Sequence, residues 1–267
     1  MEKTNGRLFT FGCSLTRYHW PTWADILGQS FTEYQNWGNR GAGNRQIFER
    51  FSECLAKNDL SSHDTVVIQW TDFHRFDYHV WDDEAHETWY PGGSLFANVQ
   101  QDPTKGFLVS KVWSEESYMM HSFNFIHAAT HLARNARCKV LMTFSNDFRP
   151  YLKMNKWAPY KKLLQNNFWV DGDMYDWLIT SYDHRLKFKG AEPGNLNDEK
   201  FMDYHPTPMM YYKWLHDRIS TKLNIQIDKD FAMKMQRAVE AVDDYQDLGK
   251  AVLDAGYDTN KNYVRGY

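Results

Sequence analysis

The feature that most constrains the fold of this chain is a rhythm of short apolar runs separated by helical patterns. Strand-like runs rich in β-branched and aromatic residues occupy positions 7–12, 64–70 and 138–144, with weaker signals at 34–37 and 168–170. Strands that alternate with helices pair in parallel and need helices on both faces of their sheet. We therefore predict an α/β fold built on a parallel sheet with helices on both faces.

The last segment of the chain has a different pattern. Residues 226–267 follow a domain predicted to span 1–225, which contains an aromatic-rich insertion at 71–114. Asp230 can cap a long helix that ends before Gly256. Apolar residues recur every three or four positions along such a helix, over about 40 Å. This amphipathic C-terminal helix is expected to pack against its own domain or to form a homo-oligomer.

Composition argues against several classes of protein. The 267 residues include 24% charged residues and have a formal net charge of −3, which indicates no general affinity for nucleic acid or an anionic membrane. No apolar run approaches the roughly 20 residues of a spanning helix, and the N-terminus lacks the apolar core of a secretory signal. The three cysteines are widely spaced, so we expect no disulfide framework and no cysteine-zinc site. We expect a cytoplasmic location, or a virion-associated one if the chain is phage-encoded.

Residues suited to nucleophilic catalysis occur in three separate places. Ser14 follows the first predicted strand, at the edge of the sheet where ligands bind in open α/β folds. Gly41 lies in a glycine-rich turn after the second strand, where the backbone can approach a ligand closely. Asp203 and His205 stand two residues apart, so the carboxylate could orient the imidazole. A hydroxyl nucleophile, an oriented base and oxyanion donors are together what acyl transfer requires.

Four short blocks occur in an order that is typical of a known family. They read F-G-C-S at 11–14, N-W-G-N-R-G at 36–41, Q-W-T-D at 69–72 and D-Y-H-P at 203–206. In this order they resemble the SGNH (GDSL-like) hydrolases, and the resemblance covers about residues 8–223. It implies a flavodoxin-like three-layer fold and a serine esterase that requires no metal and no organic cofactor.

The resemblance also implies a role for each matched residue. Ser14 would be the nucleophile, His205 the general base and Asp203 the carboxylate that orients the base. The main-chain N–H groups of Ser14 and Gly41 would hold the oxyanion. The family's third block usually brings an asparagine to complete the oxyanion hole. Thr71 stands there instead, and its hydroxyl can donate one hydrogen bond.

Polar and aromatic residues beside these blocks are candidates for substrate binding. Asn44 follows the second block, Trp70 and Asp72 belong to the third, and Arg75 can hold an anionic or sugar group. The chain is 16% aromatic, with 11 Trp. Core packing accounts for most of these rings, but a few can line a sugar-binding cleft. We predict an ester of a small molecule or glycan as substrate, with acetylated carbohydrate as the specific hypothesis.

Two other groups of residues offer competing sites. Cys13 neighbours Ser14, but successive residues that leave a strand point opposite ways, and the family pattern selects the serine. His127 and His131 stand four apart on a predicted helix, a spacing that can bind a metal. Ala128 replaces the glutamate of the corresponding zinc motif, so we expect a solvated helix surface and no metal site.

Two functions of different classes are compatible with the sequence. The first is an esterase that hydrolyses an acetyl or related ester through Ser14, His205 and Asp203. The second is a catalytically weak or inactive protein of the same fold with a binding or structural role, such as a phage virion or accessory component. Thr71 favours the second, because losing one oxyanion donor lowers turnover roughly 10²–10³-fold in better-studied hydrolases.

Overall fold

Strands and helices alternate along the chain, which the computed structural model describes at residues 4–82, 86–94, 103–146, 157–165, 168–190 and 200–265. The strands are β1 (Thr4–Phe11), β2 (Phe31–Asn36), β3 (Thr65–Trp70), β4 (Arg75–Asp82), β5 (His86–Ser94), β6 (Lys139–Phe144), β7 (Trp169–Asp173), β8 (Lys187–Phe188) and β9 (Phe201–Met202). The α-helices are α1 (Trp23–Gly28), α2 (Asn44–Lys57), α3 (Pro103–Phe107), α4 (Glu115–Asn135), α5 (Met174–Tyr182), α6 (Pro208–Trp214), α7 (Ser220–Leu223), α8 (Lys229–Glu240) and α9 (Leu248–Asp254). Short 3₁₀ or π segments lie at Leu108–Val112, Ala158–Leu164, Leu215–Ile219 and Tyr245–Asp247.

The central sheet has five parallel strands in the order β2-β1-β3-β6-β7. Every side chain of β3 is buried, as expected for a middle strand that helices cover on both faces. Helix α2 packs against α4, and α1 packs against α6. The predicted α/β fold with a parallel sheet is confirmed.

The direction in which the chain crosses the sheet reverses between β1 and β3. From β1 the chain crosses to β2 on one side, and from β3 it crosses to β6 on the other. Because such crossovers are right-handed, α1 and α4 lie on opposite faces of the sheet. In open α/β sheets a reversal of this kind opens a crevice beyond the carboxyl ends of the two strands, where ligands bind.

The insertion between β3 and α4 has local structure of its own. β4 and β5 form an antiparallel hairpin, and α3 with its adjoining π segment leads into α4. Helix α4 spans Glu115–Asn135, as its periodicity predicts. Among the helices that the structure describes, none is long and apolar enough to cross a membrane.

The C-terminal segment contains two helices, so the prediction of one long helix from Asp230 is wrong. Helix α8 begins after Asp228, whose carboxylate accepts the main-chain N–H of Phe231 at 2.9 Å. A second helix, α9, follows and ends before Gly256, which has a φ of +84°. Only the end of the predicted helix, at a glycine in the left-handed region, is as expected.

The chain leaves α8 because local polar contacts compete with helical ones. The main-chain N–H of Lys189 donates to the carbonyl oxygen of Asp243, and the N–H of Tyr245 donates to that of Lys189, both at 2.9 Å. The Asp244 carboxylate accepts the N–H of Gln246 at 2.9 Å and starts a 3₁₀ turn. Aspartate side chains favour such local bonds over a place inside a helix.

Part of the apolar stripe of this segment is buried within the same chain, together with further apolar side chains of the segment. These buried side chains pack on Tyr18 and Trp20 in the turn after β1, so their burial does not require a second subunit. The buried cluster comprises Tyr18, Trp20, Phe188, Met235, Val239, Leu248, Val252 and Tyr257. The segment predicted as an extension therefore shares a core with the preceding residues.

Candidate active site

The turn after β1 exposes Ser14 and buries its neighbour. The carbonyl oxygen of Cys13 accepts the N–H groups of Thr16 (2.9 Å) and Arg17 (3.1 Å), so the chain turns tightly here. The Cys13 side chain is fully buried, whereas Ser14 is partly exposed. Of these two adjacent candidates, the serine is the one that a substrate can reach.

A close approach that requires glycine ties this turn to β3. A Cβ atom on Gly12 would lie 2.0 Å from Oγ1 of Thr16. The Thr16 hydroxyl donates to Oε1 of Gln69 in β3 at 3.1 Å, and the Thr16 carbonyl oxygen accepts the side-chain amide of Asn36 at 2.9 Å. These buried hydrogen bonds fix the backbone that follows Ser14.

The glycine-rich turn after β2 lies against the turn of Ser14. The main-chain N–H of Asn39 donates to the carbonyl oxygen of Gly12 at 3.0 Å. Gly41 has a φ of +76°, in the region that favours glycine. The two turns that carry the predicted oxyanion donors, Ser14 and Gly41, are therefore joined at the carboxyl edge of the sheet.

Asp203 and His205 form a hydrogen-bonded pair. The Oδ1 atom of Asp203 accepts both the ring Nδ1–H (2.9 Å) and the main-chain N–H (2.8 Å) of His205. The Oδ2 atom accepts the hydroxyl of Tyr18 at 2.6 Å. Because Nδ1 carries the proton in this arrangement, Nε2 is left as the basic nitrogen of the imidazole. A histidine base that activates a serine uses this tautomer.

Hydrogen bonds keep Asp203 ionised in spite of its burial. The side chain is almost completely buried, which by itself raises the pKa of a carboxyl group. Hydrogen bonds from His205 and Tyr18 outweigh burial and lower the pKa of Asp203 below its usual value. Burial and the charge of Asp203 raise the pKa of Tyr18 far above its usual value, so this tyrosine stays protonated and keeps its donor.

Tyr18 connects this pair to the turn that carries Ser14. The Tyr18 ring stacks on the His205 imidazole, with ring centroids 3.6 Å apart and planes inclined by 20°. The His205 side chain is 22% exposed, so solvent can reach it. Tyr18 stands four residues after Ser14. Packing therefore brings the block at 203–206, distant in sequence, to the end of β1.

His19, Arg40 and Tyr245 surround this cluster, and the sequence does not single them out. The guanidinium of Arg40 lies 2.8 Å from Nε2 of His19. Burial and the Arg40 charge lower the pKa of His19 to about 4, so His19 is neutral and accepts this bond. The Tyr245 hydroxyl lies 2.7 Å from the Tyr18 hydroxyl. Tyr18 and His19 follow Ser14 by four and five residues, but nothing in their residue types marks them as part of a site.

The first three residues of the third block, 69–71, are buried in the fold. Trp70 is fully buried, so contrary to expectation its ring belongs to the core. The Asn44 side chain accepts the N–H of Thr71 (2.9 Å) and donates to its carbonyl oxygen (3.0 Å) and to the Ser122 hydroxyl (3.0 Å). Asn44 is thus a link between α2 and β3, not the free substrate contact that we expected. Thr71 is buried and its N–H is already bound, so its hydroxyl is the donor that the predicted oxyanion role would have to use.

Asp72 and Arg75 lie where the insertion begins. Asp72 pairs with Nδ1 of His74 at 2.8 Å, and a guanidinium nitrogen of Arg75 lies 3.5 Å from the carbonyl oxygen of Ala42. Arg75 and Asn44 also line a cavity of about 220 Å³ beside the start of α2. Its aromatic walls come from Phe73, Phe76, Tyr118 and Phe125. Of the two predicted substrate residues in this cavity, Asn44 is engaged by Thr71 and Ser122, so Arg75 is the better placed to bind a ligand.

Asp77 caps α2 from outside the helix. Its carboxylate accepts the N–H groups of Gly43 (2.7 Å) and Gln46 (3.0 Å). Burial raises the pKa of Asp77 to about 6, although these N–H groups lower it in part. The cap could not be found from the sequence, because Asp77 and Gly43 are 34 residues apart.

The described residues contain no evident metal site. His127 and His131 lie exposed on α4 with their Nε2 atoms 2.9 Å apart. In the part of the chain that the structure describes, no three His, Cys, Asp or Glu side chains are grouped so that they could hold a metal ion.

Comparison with known proteins finds no matching family model and no matching curated protein. A functional assignment therefore depends on the residues and the geometry described above.

Proposed function

We propose that this chain is a serine esterase of the SGNH type. The observation that supports it most is the hydrogen-bonded Asp203–His205 pair, which Tyr18 joins to the turn that carries Ser14. The fold carries a partly exposed serine, an accessible histidine and a buried carboxylate on two segments that Tyr18 links. Acyl transfer requires all three.

The first half of the reaction acylates the serine. Oγ of Ser14 attacks the carbonyl carbon of the ester while Nε2 of His205 takes the hydroxyl proton. Asp203 stabilises the imidazolium that forms. The main-chain N–H groups of Ser14 and Gly41, with the Thr71 hydroxyl, hold the negative charge on the former carbonyl oxygen. The C–O bond to the alcohol then breaks, and His205 gives its proton to the departing alkoxide.

The second half of the reaction releases the acid. Water attacks the acyl group on Ser14 while Nε2 of His205 takes a proton from the water. The bond between the acyl carbon and Oγ breaks, and His205 returns the proton to Oγ. The products are one alcohol and one carboxylic acid, and the enzyme is regenerated without any redox step.

An acetylated carbohydrate is the substrate that we propose. The cavity beside α2 is lined by aromatic residues, on which a sugar ring can pack, and by Asn44, which is hydrogen-bonded to Thr71. Arg75, which also lines the cavity, can donate to the hydroxyls of the sugar or to an anionic substituent. An acetyl group needs little space at the reacting carbon, which suits a serine held in a tight turn.

A binding or structural protein on the same fold is the second candidate, including a phage virion or accessory component. Thr71 favours it, because this residue replaces the usual asparagine and its N–H is bound by Asn44. Such a protein would bind acetylated glycans without turning them over. Calorimetric titration with acetylated and deacetylated forms of one glycan, combined with product analysis, separates binding from hydrolysis.

Hydrolysis of p-nitrophenyl acetate tests the esterase directly. We expect Ser14→Ala and His205→Ala each to lower kcat by more than about 10³-fold, because the nucleophile and its base act as one unit. His216→Ala, an exposed histidine in the segment after α6, is the matched control and should keep the wild-type rate. Equal rates in all four proteins would contradict the proposal.

A further inference from the structure

The hydrogen bonds of Asp203 extend into a directed chain. An ionised carboxylate accepts hydrogen bonds only, so the single proton of the Tyr18 hydroxyl points to Oδ2 of Asp203. The Tyr18 oxygen can then only accept from its other neighbour. Tyr245, whose hydroxyl lies 2.7 Å away, is therefore the donor. The chain runs from Tyr245 through Tyr18 to Asp203, whose other oxygen holds Nδ1–H of His205.

Tyr245 is held in place by the backbone of a distant segment. Its main-chain N–H donates to the carbonyl oxygen of Lys189 at 2.9 Å. Its ring makes edge contacts with Phe188 and His19, with centroids 6.2 and 4.9 Å apart. This is the point at which the chain leaves α8 and forms the 3₁₀ turn Tyr245–Asp247. The break that the sequence did not predict thus places a hydroxyl beside Tyr18.

Tyr18 also limits how the imidazole can turn. A nearly parallel ring at 3.6 Å opposes partial rotation of the His205 imidazole about its Cβ–Cγ bond, but it leaves the imidazole free to flip over. The Asp203 carboxylate removes that freedom, because Oδ1 holds both the main-chain and the ring N–H of His205. Oδ2 must be held as well for the carboxylate itself to keep one orientation.

We propose that the C-terminal segment is part of the active site, in which Tyr245 and Tyr18 are positioning residues for the Asp203–His205 pair. This role presupposes the proposed function, since it concerns the same site. Neither tyrosine takes part in the chemical steps. They hold Oδ2 of Asp203 so that Nε2 of His205 is presented to Ser14, and a carboxylate without them would lose one hydrogen bond in a buried place.

Three tyrosine-to-phenylalanine variants of the full chain test this role. Tyr18→Phe keeps the stacked ring and removes the bond to Asp203, so we expect kcat to fall at least about tenfold with KM within about twofold. Tyr245→Phe removes the outer bond and should lower kcat about threefold. Tyr257→Phe is the matched control, since it removes a similar buried bond to a carboxylate, from Tyr257 to Asp25 at 3.0 Å, in the same C-terminal segment. Its kcat should equal that of the wild type.

A second readout separates positioning from a merely structural role. The Nδ1 proton of His205 should give a low-field proton resonance that is absent from His205→Ala. We expect this resonance to shift or broaden in Tyr18→Phe, to a lesser degree in Tyr245→Phe, and to remain in Tyr257→Phe. Should Tyr18→Phe fail to fold in a thermal unfolding scan, Tyr245→Phe carries the test alone.

The outcomes distinguish the two proposals. If the wild type hydrolyses esters but both variants match Tyr257→Phe in kcat and in the resonance, the positioning role is wrong and the esterase stands. If the wild type hydrolyses no ester, the proposed function fails, and the resonance alone decides whether the tyrosines orient the histidine. A change in KM without a change in kcat would also overturn the positioning role, because it would place Tyr18 in substrate binding.

Discussion

At the scale of single residues, buried polar side chains set the geometry of the site. Asn44 holds both main-chain groups of Thr71, and Gln69 holds the hydroxyl of Thr16. A buried donor or acceptor that loses its partner costs about 1–3 kcal/mol. The orientation of such residues is therefore set by their hydrogen bonds within the fold. Replacing them should change the geometry of the candidate site, even though they contact no substrate in the proposed mechanism.

Asp64 is another buried polar side chain that hydrogen bonds stabilise, and its ionisation makes the stability of the fold depend on pH. Burial alone would raise its pKa, but hydrogen bonds from Arg7 and Ser61 outweigh burial and lower the pKa of Asp64 to about 2. A pKa below the unfolded value means that this stabilisation is complete above about pH 4 and is lost as pH falls from about 4 to 2. We expect Asp64→Asn to lower the free energy of unfolding by about 1–2 kcal/mol at pH 7, since the partly exposed Arg7 is screened by solvent.

Denaturant titrations at several pH values check this prediction. The difference between wild type and Asp64→Asn should shrink towards zero near pH 2. Asp254→Asn, which alters an exposed carboxylate at the end of α9, is the control and should show no such difference. A penalty for Asp64→Asn that is the same at every pH would contradict the account.

At the scale of elements, the turn between β1 and α1 admits no side chain at Gly12. Its Cβ would meet Oγ1 of Thr16 at 2.0 Å and approach Cβ of Gln69 to 3.2 Å. We expect Gly12→Ala to lower the free energy of unfolding by about 1–3 kcal/mol through overpacking, and to lower esterase activity by displacing Ser14. Gly249→Ala in α9, where no atom lies within 4 Å, should instead be neutral or stabilise by up to about 1 kcal/mol. Thermal unfolding of both variants tests this prediction. Equal changes in stability for Gly12→Ala and Gly249→Ala would contradict the steric argument.

The elements with strong periodicity were predictable and the irregular ones were not. Helix α4 is long and periodic and the middle strand β3 is mostly apolar, so the local sequence pattern was enough to predict both. The single helix expected after Asp230 was wrong because its break depends on main-chain bonds to Lys189, far away in sequence. The cap that Asp77 provides for α2 was likewise not predictable, because Asp77 is distant in sequence from the helix that it caps.

The candidate site was predictable only in part, for a similar reason. Ser14, Asp203 and His205 lie in recognisable blocks, so their residue types and order point to acyl transfer. Tyr18 and Tyr245 carry no such signal. The role that we propose for each hydroxyl depends on its hydrogen-bond partner, which is Asp203 for Tyr18 and Tyr18 for Tyr245. Contacts of this kind follow from packing and are invisible in the sequence.

At the scale of the whole molecule, the C-terminal residues close the structure around the site. The main chain of Asn36, in the second block, accepts from Val264 (2.9 Å) and donates to Asn262 (2.8 Å). The guanidinium of Arg17, three residues after Ser14, lies 3.4 Å from the ring centroid of Tyr263. Two of the three segments of the predicted oxyanion hole, those of Ser14 and Gly41, are thus each held by the end of the described chain.

The central claim is that these distant segments create one activated serine. Covalent trapping with a fluorophosphonate tests it most directly, since this reagent phosphonylates a serine only when a base and an oxyanion hole activate it. We expect intact mass spectrometry to show one adduct per chain, mapped to Ser14, with none in Ser14→Ala, much slower labelling in His205→Ala and normal labelling in Cys13→Ala. An unlabelled wild type, or an adduct that persists in Ser14→Ala, would contradict the claim.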